Sequence, residues 1–344
     1  MKHLKSILFG LAVFIGGCIA TTINQTQAAG SGADFTISPV LPEAQADQSL
    51  NYFSLNTEAN QVYPLKVVVN NLNSEKAQNF QVQLVTATTT SSGRISYMPT
   101  ADKRDSSALT TLPELALDQP TTHRITVPAA SKQEVTFTVT MPKSNIVGTV
   151  LGSIYVRRVD AKSKNDQTIG IQNEFAMTIP VMLQQKNLPK ITPALNITSV
   201  KQSASGGAAV LKARVHNSKP VMFGKINMKT QVFKKGSKKA LITQTDQNFE
   251  MAPNSTMPYQ VRTGGEALAP GRYVLKMRLT SGEKVFNLEK EFGIKASEHR
   301  TTEQQLVKVN RNIWWLWYAI GAGLVLIIIG LVILLIYRKR RAQK

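Results

Sequence analysis

Four histidines, one cysteine and twenty-one carboxylates are the groups from which catalysis or metal binding would have to be built. His3, His123, His216 and His299 stand far apart, and none has a second His or Cys at ligand spacing, so no zinc site is readable. Cys18 falls in an N-terminal segment read below as removed on export, which leaves a mature chain without a thiol nucleophile, a disulfide or a Cys-ligated metal. Ser281-Gly282-Glu283-Lys284 has the Ser-x-x-Lys spacing of penicillin-binding enzymes. Its partner motifs are missing, and the stretch reads as a β-turn instead of a helix start. No nucleotide loop and no Gly-x-Ser-x-Gly elbow occurs. Spacing alone does not decide a glycosidase-type carboxylate pair, but the eleven acids of residues 31–160 are scattered over loops and strand ends, where solvated acids normally lie. The reading is a binding protein that needs no cofactor. An enzyme modifying a cell-wall glycan is the alternative.

Binding chemistry is easier to find. Tyr52, Phe53 and Tyr97, with the Ser/Thr-rich stretch 88–111, fit the rings and hydroxyls that sugar sites use; the favoured reading of the three aromatics is β-sandwich core, with the sugar site as the alternative. Lys234, Lys235, Lys238 and Lys239 crowd one turn. They belong to a strong asymmetry: residues 31–160 carry a net charge of −1, residues 161–310 a net charge of +13. A basic exported domain attracts anionic lipid headgroups and phosphate-rich wall polymers such as teichoic acid. Nucleic acid is not expected, because the domain lies outside the cell.

That location follows from the two ends. Lys2 and Lys5, the apolar run Ile7 to Ile19 and the small residues near Ala28-Ala29 read as a signal peptide over 1–29; Ile15-Gly16-Gly17-Cys18 leaves a lipidated Cys18 as a competing reading. At the other end Trp314, Trp315, Trp317 and Tyr318 lead into Ala319 to Ile336, which has no charge, and Tyr337, Arg338, Lys339, Arg340 and Arg341 follow. Eighteen apolar or glycine residues span roughly 27 Å as a helix, the thickness of a bilayer core. Aromatic residues at the headgroup level and a basic cytoplasmic flank fix a single-pass transmembrane helix over 314–337, with 338–344 as a cytoplasmic tail and the N-terminal region extracellular. No Leu-Pro-x-Thr-Gly precedes the helix, so sortase attachment is not expected. Ala319 and Gly323 form a small-xxx-small pair, which marks helix pairing or the ordinary use of glycine in spanning helices.

The elements that must position any site are strands. Asp34–Val40, Tyr63–Asn70, Phe80–Ala87, Arg124–Val127, Val135–Val139, Gly148–Val159 and Ile169–Leu183 show period-two patterning, with residues 41–60 and 88–120 as loops and Lys162–Asp166 as a hairpin turn. Within Gly148–Val159, Gly152 marks a place where a backbone or partner approaches closely. After a polar connector, Gln184 to Lys190, the grammar repeats. Leu195–Val200, Ala209–His216, Val221–Phe233, Ala240–Phe249, the turn-then-strand Leu268–Leu275 and a hairpin around Ser281-Gly282 make a second unit. Val69-Asn70 and His216-Asn217 end corresponding strands. The expected fold is all-β: two tandem immunoglobulin-like antiparallel β-sandwich domains, 31–186 and 187–296, a mildly helical stalk 297–313 and the C-terminal transmembrane helix.

The opening Asp34-Phe35-Thr36-Ile37-Ser38-Pro39-Val40-Leu41-Pro42-Glu43-Ala44-Gln45, then Tyr52-Phe53-Ser54-Leu55, resembles the start of the WxL-interacting protein family of low-GC Gram-positive bacteria. Val147-Gly148-Thr149-Val150-Leu151-Gly152-Ser153-Ile154, the basic second domain, the tryptophan-led helix and the Arg/Lys tail extend the resemblance over nearly the whole chain. Ala44 departs from the family's usual Asn. The resemblance implies a distal peptidoglycan-binding domain, a second domain that binds a host ligand such as a matrix protein, and partnership with secreted WxL-domain surface proteins. It carries over no enzymatic activity and no binding residues. A surface chaperone that caps partner strands by β-augmentation is a further alternative.

Overall fold

The computed structural model describes residues 33–117, 119–159, 174–185, 189–306, 321–324 and 329. The expected signal peptide 1–29, the stretch Lys162–Asp166 expected to turn and the expected anchor residues Trp314, Trp315, Trp317, Tyr337, Arg338, Lys339, Arg340 and Arg341 lie outside them. Among the described residues no helix is long and apolar enough to cross a membrane.

The first sandwich packs a three-stranded sheet on a five-stranded one. The smaller has the order β1 (Phe35–Val40), β3 (Val62–Asn71), β8 (Lys132–Thr140). The larger has the order β2 (Phe53–Thr57), β10 (Ala176–Gln185), β9 (Thr149–Arg158), β4 (Gln78–Thr86), β7 (Thr122–Val127). Alternate residues enter the core, where Phe35 and Phe80 meet at 5.0 Å between ring centres, with Phe53, Leu65, Val82, Phe137 and Ile154 around them. Two points differ from the sequence reading. Within residues 41–60 lies β2, too short and too flanked by polar residues to stand out. It pairs with β10 in parallel, so the sandwich is not wholly antiparallel. The chain changes sheet after β1, and Gln45 secures the crossing: its side chain donates to the carbonyls of Asp47 and Tyr52 and accepts the Ser54 N–H. A buried amide satisfied on both ends fixes a loop that has little core of its own. Between β4 and β7 run a two-strand hairpin, β5 (Thr88–Thr89) with β6 (Ile95–Ser96), and a 3-10 turn at Pro113–Leu115.

The second sandwich packs β11 (Leu195–Ser205), β12 (Ala208–Asn217) and β15 (Ser255–Gly265) against a sheet ordered β14 (Ala240–Met251), β13 (Phe223–Lys234), β16 (Gly271–Ser281), β17 (Lys284–Ile294). Strand pairing thus passes from one sandwich to the next between Gln185 and Leu195. Sequence patterning missed β15, because Pro258 interrupts its Met257, Tyr259, Val261 alternation. The proline is tolerated because β15 is an edge strand and its lost N–H breaks no ladder. Tyr273, at the start of β16, donates its hydroxyl to the Ala269 carbonyl at 2.7 Å, the tyrosine corner of immunoglobulin-like sandwiches. Helix α1 (Ala296–Gln304) follows β17 and lies against β11, where Glu298 accepts the Gln202 N–H. Among the described residues neither core takes a side chain from beyond Ile294.

The two units share a pin. Asn71 ends β3 and Asn217 ends β12, both almost fully buried. The Asn71 amide donates to the carbonyls of Lys76, Val127 and Pro128, and its oxygen accepts the Asn73 N–H. Asn217 donates to Val221 and Ala252 and accepts from Lys219. In the first unit this role belongs to Asn71, one residue after the Asn70 singled out by sequence; Asn70 is half exposed on the outer face. Removing either pin leaves buried carbonyls without a donor. Asn71→Ala and Asn217→Ala are each expected to cost about 2–3 kcal/mol in urea unfolding, and Asn70→Ala less than about 0.5 kcal/mol.

Candidate functional site

The glycine-rich stretch of β9 and its approach meets the second sandwich. Gly148 has φ +106°, and a Cβ built there would lie 2.2 Å from the Pro220 carbonyl oxygen. With no side chain in the way, the Thr149 N–H reaches that oxygen at 2.7 Å. Gly152 serves contacts within the first unit, since its Cβ would meet the Val85 carbonyl and Leu112. Gly93, in the β5–β6 turn, lies against the Phe249 ring; its carbonyl accepts the Glu250 N–H at 2.9 Å, and Glu250 Oε1 accepts the Ile95 N–H at 3.0 Å. Thr89 accepts the Ala252 N–H and bonds Ser255 Oγ at 2.7 Å, fully buried from solvent on both sides. Ala87, Leu151 and Ala252 make a small apolar contact beneath these bonds.

At the rim of this junction Asp105 Oδ1 lies 3.0 Å from His216 Nε2, and Asn254 donates to the carbonyl and Oγ of Ser107. Burial alone would raise the Asp105 carboxyl. The Ser107 N–H and hydroxyl and the His216 imidazole outweigh it, and the group titrates below its ordinary value. Ser107 and Asp105 both approach the same ring nitrogen of His216, so the trio is a structural clasp and has no charge-relay order.

Beside the clasp opens a cleft of about 610 Å³. Thr86, Thr88 and Thr256 supply hydroxyls along it. Lys103, from the long loop of the first unit, and Arg214, from β12 of the second, stand on its walls. Both are exposed, and among the described residues neither has an acidic partner. Arg104 is held by Glu114 at 3.1 Å, and Glu114 also accepts the Thr111 N–H, which orders the loop behind Lys103. The arrangement can bind a hydroxyl-rich ligand whose carboxylates would meet Lys103 and Arg214, with Asp102 and Asp105 also on the walls.

The residues named from sequence fare differently. Phe53 is fully buried in the first core: β2 turns it inward, so it is no sugar platform. Tyr52 is half-buried and packs on the same core. Tyr97 packs beside the junction contact, and its hydroxyl is pushed above the ordinary tyrosine value by burial first, then by Glu250 and Tyr52. Lys234, Lys235, Lys238 and Lys239 are exposed at the β13–β14 turn, far from the cleft, with Lys235 on Glu291 at 2.6 Å. The Ser281–Lys284 stretch is the turn between β16 and β17. Sequence gave no sign of Lys103, Asp105, Arg214 or His216 as a group, because more than a hundred residues separate the two halves. The Val147–Ile154 motif was the one visible trace of the junction.

Two docked β-sandwiches with a hydroxyl-lined cleft between them make up most of the described residues. The chain belongs to the WxL-interacting protein family. Residues 35–158 match the family's peptidoglycan binding domain and residues 166–304 its host binding domain. The second match takes in β10, which pairs within the first sandwich; hydrogen bonding places the physical boundary after it. No curated protein matches the chain. Among solved structures, a chaperone–tip adhesin complex of CFA/I fimbriae aligns at 9% identity over 75% of this chain and 97% of that one, with a TM-score of 0.27. The E. coli chaperone DraB aligns at 12% identity over 71% and 98%, with a TM-score of 0.25. Scores this low bear on neither fold nor function.

Two outcomes test the junction. Gly148→Ala forces a side chain into Pro220 and should loosen docking, seen as a larger radius of gyration in solution scattering and faster proteolysis near residues 186–190. Because Asp105 titrates low in the folded chain, its contribution is complete above the ordinary carboxylate value of about 3.9. It is lost as pH falls through the lowered folded value. Asp105→Asn should remove that acid-dependent part of docking, read by energy transfer between labels on the two units.

Proposed function

We propose that this chain is a non-enzymatic cell-surface protein held in the membrane by its tryptophan-led C-terminal helix, with both sandwiches on the wall side. Its first unit binds peptidoglycan and helps hold WxL-domain partners. Its second unit engages a host ligand. The peptidoglycan ligand occupies the cleft between the units. The observation that carries this is the pairing of one unengaged cation from each unit, Lys103 and Arg214, across a threonine-lined cleft. Glycan hydroxyls suit the threonines, and stem-peptide carboxylates suit the cations. The family match supports the ligand class, and the sequence of 314–344 supports the anchor.

Co-sedimentation of residues 31–306 with teichoic-acid-free peptidoglycan tests the reading. Binding should survive added salt, and Lys103→Ala and Arg214→Ala should each weaken it roughly ten-fold, the worth of one charge-assisted hydrogen bond. Pelleting that needs teichoic acid and vanishes at moderate salt would show attraction by charge alone. A clearing band on a cell-wall zymogram, abolished by neutralising one carboxylate, would overturn the non-enzymatic reading.

A further inference from the structure

Strand direction gives the second sandwich two poles. Phe223 pairs with Met251 at the pole that carries Pro220, Ala252 and Ser255, all docked on the first sandwich. Eleven residues later β13 ends at Lys234, about 36 Å away at the rise of a strand. There the chain turns through Lys235–Lys239, with Gly236 at φ +84° and the Ser237 N–H on the Lys234 carbonyl. β17 ends at this same pole: Lys234 pairs with Tyr273, and Gly271 pairs with Ile294. The chain therefore leaves for α1 beside the lysine turn, two strand spacings or about 10 Å from it.

This pole is predominantly basic, with exposed Glu266, on the loop that follows β15 and leads into Gly271, as an acid beside it. Lys234, Lys235, Lys238, Lys239, Arg272 and Lys295 are all exposed. Glu291 lies among them and is taken by Lys235 at 2.6 Å. Of the acids on α1, Glu298 accepts the Gln202 N–H and Glu303 pairs with His299 at 3.4 Å. Among the described residues no other of the six forms an ion pair, although Arg272 also stabilises the charge of Glu291; the rest of the crowding costs repulsion.

Distance then selects a ligand. Only seven residues separate Leu306 from Trp314, where the apolar C-terminal segment starts. Fully extended, they hold the two ends within about 30 Å. The exit pole, one short helix before Leu306, is thus tethered near the bilayer, while the docked pole stands about 36 Å from it along the strands.

We propose that the exit pole, centred on Lys234, Lys235, Lys238 and Lys239, binds anionic phospholipid headgroups of the bilayer that holds the chain, and so sets the stance of both sandwiches on the membrane. The proposal rests on the anchor reading above. A wall polymer has the same phosphate chemistry. The bilayer is favoured because the chain leaves the second sandwich at this pole, a short helix and seven residues before the apolar segment.

The test uses the full chain in nanodiscs of phosphatidylcholine with or without phosphatidylglycerol, spin-labelled through Ser237→Cys in a Cys18→Ser background. With phosphatidylglycerol the label should enter the headgroup region. Replacing all four lysines by glutamine should return it to water. In parallel, residues 31–306, which keep both cores intact, should bind phosphatidylglycerol vesicles roughly a hundred-fold more weakly once Lys234, Lys238 and Lys239 are neutralised, about five-fold for each. A chain absent from the nanodisc fraction overturns the anchor and this proposal together. A chain that inserts while its label stays in water overturns the proposal alone. Lysine-dependent binding of soluble teichoic acid with none to vesicles overturns the lipid assignment.

Discussion

The close approach of two backbones at Gly148 is the contact on which the rest depends. A β-sandwich normally meets its neighbour through side chains, with each unit free to pivot. Here the Thr149 N–H reaches the Pro220 carbonyl directly, and Gly93 allows the same kind of contact with Glu250. Backbone bonds are short and directional, so they fix orientation where side-chain packing would leave a range. The threonine, serine and asparagine bonds around them are buried, and each donor is matched to an acceptor, which keeps the desolvation cost of a polar junction low.

Because orientation is fixed, each surface acquires a role by position. The cleft is lined by both docked units; Lys103 and Arg214 on its walls come from different sandwiches. The long loop of the first unit has two jobs. Its hairpin seats on the second sandwich, and its later part, ordered by Glu114, presents Lys103. The lysine turn is carried to the opposite end by the length and direction of β13.

The two sandwiches are variations on one plan. Both place four strands in the same order, β7-β4-β9-β10 and β14-β13-β16-β17, opposite a three-stranded sheet. Both end the middle strand of that smaller sheet in a buried asparagine that holds a neighbouring loop. The first unit adds β2 beside β10 and extends the loop after β4. The additions fall on the unit matched as peptidoglycan-binding, and the loop is what builds the junction.

Local patterning determined most of the strands, because alternation of apolar and polar residues is written in neighbouring positions. It also determined the connector after β10, the charge asymmetry, the glycine stretch that proved to be a contact surface, and the aromatic and basic flanks of the C-terminal segment. It did not reveal β2, which is short, or β15, whose proline argues against a strand until the strand is known to be an edge. It could not tell Phe53 on a core face from Phe53 on a surface, since one residue of register reverses the two. Tertiary structure alone decided the contact of Asp105 with His216 and the placing of Lys103 and Arg214 on one cleft, because each pairing draws one residue from either docked unit. No local preference encodes a contact between residues more than a hundred positions apart.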